Sequence, residues 1–298
     1  MMETSTASFS EFSASALASI GDALDSYTKL PPDCPPRLCE AIRYSLLAPG
    51  KRLRPLLVLI TAEACGGNIE AAMPAACAVE MVHAYSLIHD DLPCMDDDDL
   101  RRGRPTCHKV FGEALAVLAG DALLTMAFEV LSRDVRPARV AADCCLELAR
   151  AAGPAALVGG QADDLDGTAA AADIGRLEAI HRRKTGAMFQ VSIRLGAMIA
   201  RASRRQRSAL EKYGQRLGLA FQIVDDLLDV GGDEKALGKR AGKDADRGKL
   251  TFPGLLGVDE SRRRAGQLIA EARAAIASLG PQAEGLEALA RAVLERNH

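Results

Sequence analysis

Tryptophan is absent from this chain of 298 residues, and aromatic side chains make up only 4% of it. Sheets draw on aromatic and β-branched residues, whereas the Ala and Leu that abound here favour helices packed on helices. A surplus of positive charge is also missing, since 37 Lys and Arg meet 40 Asp and Glu for a net charge of −3. The whole chain therefore offers no electrostatic footprint for nucleic acid. None of its eight cysteines forms a Cys-x-x-Cys pair. They read as reduced thiols, with adjacent Cys144 and Cys145 as small apolar fillers of a helix. The first 18 residues lack the basic start and apolar stretch of a signal peptide, and no uninterrupted apolar run approaches a membrane span. These absences predict a soluble, cytoplasmic protein with no membrane span and no nucleic-acid partner. What is present, 48% hydrophobic and 26% charged residues, is the balance of a globular chain with a sizeable core.

Apolar residues recur at helical spacing over residues 9–30, 38–47, 55–64, 74–92, 113–132, 138–152, 155–164, 173–200, 204–230, 260–279 and 283–296. Pro31-Pro32 ends the first, and Gly66-Gly67-Asn68, Gly153-Pro154, Gly231-Gly232 and Gly280-Pro281 separate others as helix ends and turns. No alternating pattern survives beyond a few residues. The expectation is an all-α, single-domain helix bundle over residues 1–298, with residues 1–8 as a flexible N-terminus.

Two acidic clusters interrupt the apolar pattern. Gln222, Asp225, Asp226 and Asp229 stand at i, i+3, i+4 and i+7, which a helix gathers on one face. Leu219, Ile223, Leu227 and Val230 fall opposite and are expected to meet neighbouring helices. Three like charges on successive turns repel, and a hard divalent cation with oxygen ligands offsets that; a solvated acidic face is the plainer alternative. Asp90, Asp91 and Asp96 form the other cluster, at the end of an apolar helix on which His83, Ser86 and Asp90 share a face. Pro93 ends or kinks that helix. The loop through Pro93 and Cys94 must therefore swing Asp96 back if it and Asp90 are to bind one metal. Asp97, Asp98 and Asp99 are read as solvated loop acids.

Basic residues trail each acidic cluster. Arg101, Arg102 and Arg104 follow the first, and Lys239, Lys243 and Lys249 follow the second. Lys51, Arg52 and Arg54 open another helix, where N-terminal amides also favour anions. Charge balance alone explains acid beside base. Yet Arg meets phosphate oxygens two at a time, and the whole set describes a site for polyanionic ligands bridged by magnesium, with manganese as a substitute.

The stretches GKRLRP (Gly50 to Pro55), HAYSLIHDDLPCMDDDDLRRGRPT (His83 to Thr106), GGQADDL (Gly159 to Leu165), HRRKTGAM (His181 to Met188), FQIVDDLLD (Phe221 to Asp229) and GKRAGKDADRGKLTFP (Gly238 to Pro253) resemble, in family order, the trans-isoprenyl diphosphate synthases. Within that family the likeness is to the bacterial-type members that make farnesyl diphosphate (geranyltranstransferases). The resemblance implies a helix-bundle homodimer with both acidic motifs facing a deep central cavity. It implies magnesium on Asp90, Asp96 and Asp225, with Asp91, Asp226 and Asp229 in support. Arg101, Lys184, Lys239 and Lys249 would hold an allylic diphosphate, and Lys51, Arg54, His83 and Arg102 the diphosphate of isopentenyl diphosphate. Thr185, Gln222 and the carbonyl of Lys184 would face an allylic cation. The implied reaction is ionisation, condensation and elimination, from dimethylallyl or geranyl diphosphate to (2E,6E)-farnesyl diphosphate.

Product length turns on the helix before Asp90. Tyr85 lies roughly 7.5 Å deeper along its axis at 1.5 Å per residue, so with Ser86 it is the expected floor for the growing tail; ordinary helix packing is the plainer role. Geranylgeranyl diphosphate is the alternative product. Glu80-x-x-His83 and Glu178-x-x-His181 match the helical pattern of di-iron carboxylate bundles, a rival that leaves both Asp clusters unexplained. A non-catalytic partner subunit, a prenyl cyclase and a nucleic-acid module built on the Arg201 to Arg207 run are weaker readings.

Overall fold

The computed structural model describes the backbone of residues 2–165, 173–231 and 250–295, with side chains from Phe12 onward. The chain starts with α1 (Met2–Tyr27), α2 (Pro36–Leu46), α3 (Leu53–Ala64) and α4 (Ile69–Asp90), then a small hairpin of β1 (Leu100–Arg101) and β2 (Arg104–Pro105). It continues through α5 (Cys107–Phe111), α6 (Glu113–Asp134), α7 (Ala138–Ala152), α8 (Leu157–Leu165) and α9 (Ile174–His181). A π-helical turn (Arg182–Gly186) joins α9 to α10 (Ala187–Ile199), and α11 (Arg204–Gly231) follows. The remaining described elements are α12 (Phe252–Leu256), α13 (Val258–Ile276), a 3-10 segment (Ala277–Ala283) and α14 (Glu284–Glu295). The all-α expectation holds, and the hairpin is too short to have left an alternating pattern.

The differences in boundary have local causes. No Pro or Gly precedes Gly21, and α1 extends back to Met2, before the Phe9 at which the apolar spacing begins. The helix bearing the first acidic motif starts at Ile69, well before Pro74, because the Asn68 side chain caps it by accepting the Glu70 amide at 2.6 Å. Asp173 likewise opens α9 by accepting the amides of Gly175 and Arg176 at 2.6 and 3.0 Å.

Helix α4 is the axis of the core. It packs against α3 on one side and α6 on the other, with α10 also in contact, while α11 and α13 pair across the bundle. Its Ala75 to Val79 stretch, and Leu57 to Leu59 of α3, are fully buried. Burying one such Leu stabilises the fold by about 1.5–3 kcal/mol. Small alanines let the helices approach closely where aromatics are scarce.

On length and composition alone α4 and α6 could cross a membrane. Most of α4 is buried in the core, so its apolarity is spent on packing. Helix α6 differs, since Val117 and Leu118 lie exposed on its outer face.

Candidate active site

Helix α4 runs out at Asp90, with Asp91 as its C-cap. The chain then turns back on itself. The Asp96 amide donates to the Asp90 carbonyl at 2.8 Å, the Asp97 amide to Leu92 at 3.0 Å, and the Asp98 amide to Asp91 at 3.2 Å. Asp97 takes a left-handed conformation (φ 45) to allow it. Asp96 is thereby returned to Asp90, the swing that joint metal binding demands. Asp98 corrects the reading of residues 97–99 as solvated, for its side chain is buried, 3.7 Å from the Arg101 guanidinium. Asp99 is exposed and pairs with Lys109 at 2.6 Å.

The hairpin aims two arginines in different directions. Its ladder pairs Arg101 with Arg104, leaving Arg102 and Gly103 as a two-residue turn in which both have positive φ. Arg101 reaches inward, its Nε and Nη2 donating to the buried Asp91 carboxylate at 2.6 and 2.5 Å. Arg102 reaches across to α3's approach, its Nη1 donating to the Pro49 carbonyl at 2.8 Å.

Burial raises the Asp90 carboxyl to about 6; Lys184 pulls it down, Asp96 pushes it up, and Arg101 and Asp91 act in the same opposed senses. Lys184 lies on the π turn, so this coupling reaches across the bundle from the first acidic motif. Burial also raises Asp91, against the pull of Arg101. His83 is held well below the ordinary histidine range by burial and by Arg54, Arg102, Arg101 and Arg52. Its ring is neutral at pH 7, and Nε2 accepts Arg54 Nη1 at 3.2 Å. Burial lowers Arg54 to about 10, with Glu80 and Asp225 opposing the shift and Arg102 adding to it, so its cation persists. Lys51 is exposed, at the edge of this group.

The second acidic motif sits on unbroken α11. Asp225 is half-buried, whereas Asp226 and Asp229 are buried. The Asp226 carboxylate accepts the Phe252 amide at 3.0 Å and Gln222 Nε2 at 3.1 Å, with His181 Nε2 3.6 Å away. Gln222 Oε1 in turn accepts the Thr185 hydroxyl at 2.9 Å. Of the apolar residues expected to meet neighbouring helices, Ile223 and Leu227 are buried, but Val230 is 53% exposed. It stands in the last turn of α11, beyond the packed part of the helix.

Lys184 Nζ donates to Asp164 of α8 at 2.7 Å, and Arg183 pairs with Asp163. A Cβ on Gly160 would stand 2.5 Å from the Lys184 amide nitrogen, so only glycine lets α8 come this close. Tyr85 is buried, edge-on to His89 at 5.5 Å. Ser86 Oγ donates to the His83 carbonyl at 2.9 Å. A small pocket opens on the α2-facing side of α4, lined by Tyr44, Glu80, His83, Arg101, Arg102 and Cys107 among others, and no described residue of α11 lines it. Lys239 and Lys249 lie outside the described residues.

Among the described residues no three His, Cys, Asp or Glu side chains are grouped to hold a metal by themselves. Asp90 and Asp96, close enough for Asp96 to act on the Asp90 carboxyl, offer hard oxygen donors that suit magnesium, which commonly takes one or two carboxylates and completes its shell with water and substrate phosphate. The di-iron rival is overturned by its own glutamates. Glu80 is bound to Arg52 at 2.6 Å and Glu178 to Arg264.

Sequence reasoning missed Asp164, the Phe252 amide and the Arg52–Glu80 pair. Asp164 stands in the quoted GGQADDL stretch, but nothing local ties it to a lysine 20 residues away.

A polyprenyl synthetase family profile matches residues 35–280. The chain is 49% identical over 265 residues to a farnesyl diphosphate synthase of Escherichia coli K12, covering 87% of this chain and 89% of that protein. It is 52% identical over 250 residues to the chloroplastic geranylgeranyl pyrophosphate synthase 12 of Arabidopsis thaliana, covering 82% of this chain and 69% of the other. Among solved structures, an FPP/GFPP synthase of Zymomonas mobilis superposes with a TM-score of 0.86 at 38% identity, covering 97% and 99% of the two chains.

Proposed function

The chain belongs to the polyprenyl synthetase family, and on that premise we propose that it condenses isopentenyl diphosphate with dimethylallyl or geranyl diphosphate to make (2E,6E)-farnesyl diphosphate. One observation carries the reading. Around the end of α4 the Asp90–Asp96 turn and the guanidinium groups of Arg101, Arg102 and Arg54 converge, coupled electrostatically to Lys184 on the facing π turn. That is a place for two diphosphates.

Asp90, Asp96 and Asp225 would hold magnesium. Asp91, Asp226 and Asp229 support the site from the protein side, since the first two already serve Arg101, Gln222 and the Phe252 amide. Bound metal would neutralise charge on the allylic diphosphate. Arg101 and Lys184, with Lys239 and Lys249, stabilise the charge that grows on the departing oxygen. The Thr185 hydroxyl donates its hydrogen bond to Gln222 Oε1, which leaves its oxygen lone pairs for the allylic cation, joined by Gln222 and the Lys184 carbonyl. Lys51, Arg54, neutral His83 and Arg102 orient isopentenyl diphosphate so that its double bond meets that cation. The released diphosphate accepts the proton lost in the final step, and no side-chain nucleophile is required.

Tyr85 favours a C15 product because a buried ring beneath Asp90 blocks the tail. The Arabidopsis relative keeps C20 as the second reading. The exposed apolar face of α6 supports a homodimer, since Val117 and Leu118 have no cover from the described residues. A cytoplasmic location fits eight free cysteines. The deciding experiment incubates the protein with labelled isopentenyl diphosphate, magnesium and dimethylallyl, geranyl or farnesyl diphosphate. Farnesyl diphosphate as the main product is expected. No turnover with any of the three would overturn the enzyme reading, and a C20 product would overturn the chain length.

A further inference from the structure

Glu80 is buried to 2% exposure in the middle of α4, and Arg52 is its partner at 2.6 Å. Arg52 is a non-glycine residue in left-handed conformation (φ 45), immediately before α3. Holding it there costs backbone energy that its side chain must offset. The same guanidinium donates through Nη2 to the carbonyls of Leu46 and Ala48, at 2.7 and 2.8 Å. It thereby satisfies carbonyls at the end of α2 that have no helical partner. The end of α2, the start of α3 and the middle of α4 thus meet on one cation.

The cradle proposed for isopentenyl diphosphate hangs from this junction. Lys51 is the preceding residue. Arg54 stands two residues on and pairs with His83, one turn along α4 from Glu80, giving two parallel rungs between the same helices. Arg102 closes the ring by donating to Pro49 in the tethered segment. Gly50 lies flat against it, for a Cβ there would stand 2.1 Å from Arg102 Nη1. We infer that the Glu80–Arg52 ion pair is the positioning element of this cradle, setting where Lys51, Arg54 and Arg102 meet the second diphosphate. This rests on the assignment of that cradle to isopentenyl diphosphate.

The test is a series of variants, read by KM for each substrate, by direct calorimetric binding of isopentenyl diphosphate and by melting temperature. Glu80→Ala should raise KM for isopentenyl diphosphate at least ~10-fold while KM for geranyl diphosphate stays within about two-fold, the signature of lost binding on one side only. Glu80→Gln keeps the acceptor for Arg52 and should recover most of the loss. Arg52→Lys keeps the charge but loses the fork, and should resemble Glu80→Ala; it decides the matter if Glu80→Ala does not fold. A fall in melting temperature with both KM values unchanged, or a parallel rise in both, would overturn the inference. So would Glu80→Gln as damaging as Glu80→Ala, which would mean charge and not position. Wild-type protein that binds no isopentenyl diphosphate would overturn the assignment of the cradle; equal binding by wild type and Glu80→Ala would overturn the inference alone.

Discussion

The two acidic motifs reach similar ends by opposite means. The one after α4 breaks a helix and folds the chain back through Asp97, so that Asp96 rejoins Asp90 by way of the backbone. The one on α11 leaves its helix intact and takes Asp225, Asp226 and Asp229 from successive turns. Both nevertheless divide their adjacent aspartates in the same way. Asp91 turns inward to Arg101, and Asp226 turns inward to Gln222 and the Phe252 amide, while Asp90 and Asp225 stay half-buried. Neighbouring residues on a helix point about 100° apart, so a pair cannot face one ligand together. One member meets the substrate side and the other orients a group that does.

Removing the metal should have the largest effect and treat the motifs alike: excess EDTA takes turnover to background in a radiolabel assay, and added magnesium restores it. Next come the outward members. Asp90→Asn and Asp225→Asn are each expected to lower kcat by about 10²–10³, as loss of a preorganised charge stabiliser does, with a raised magnesium requirement in a metal titration. The inward members should cost less. Asp91→Asn and Asp226→Asn are expected to lower kcat about 10–100-fold through misplaced Arg101 and Gln222, as loss of supporting partners does at metal sites, with the magnesium requirement unchanged. A shifted requirement in either would break the division of labour.

Acidity provides a finer test. The Asp90 carboxyl, raised to about 6, favours the fold most when protonated. Its contribution in the metal-free protein is full below the unfolded value of about 3.9 and is lost as pH climbs through about 6. Metal binding runs the other way, since only the carboxylate takes a metal, so the magnesium requirement in a metal titration should fall as pH rises across the same range. Asp90→Asn should flatten that segment of the curve of melting temperature against pH. The smallest effect on rate is expected from Tyr85→Ala, which should shift product from C15 toward C20 in mass spectrometry and leave total turnover within a few-fold. An unchanged product profile would remove Tyr85 from chain-length control.

Much of this could be read in the chain. Helical spacing marked the long helices, and i, i+3, i+4, i+7 spacing put the α11 aspartates on one helix. Pro93 announced the break whose return path the backbone then supplied. What stayed hidden depends on distant partners. The fates of Asp91 and Asp226 are decided by Arg101 and by an amide at Phe252, and Asp98 by its burial beside that same Arg101. Glu80 and His83 fit a metal pattern at i and i+3, but a helix says nothing of what faces it. Arg52 just before α3 and Arg54 in its first turn occupy both residues, one as an ion pair and one as a hydrogen bond.

The π turn at Arg182–Gly186 sets the aim of one wall of the site. Its bonds span five residues in place of four, so it behaves as a helix that has absorbed one extra residue. Deleting a residue there would restore a regular helix, and a more stable one, yet everything on one side of the deletion would rotate by about 100° relative to the other. Lys184 and Thr185 would no longer keep both Asp164 and Gln222 as partners. One extra residue in this turn is enough to aim this wall of the site.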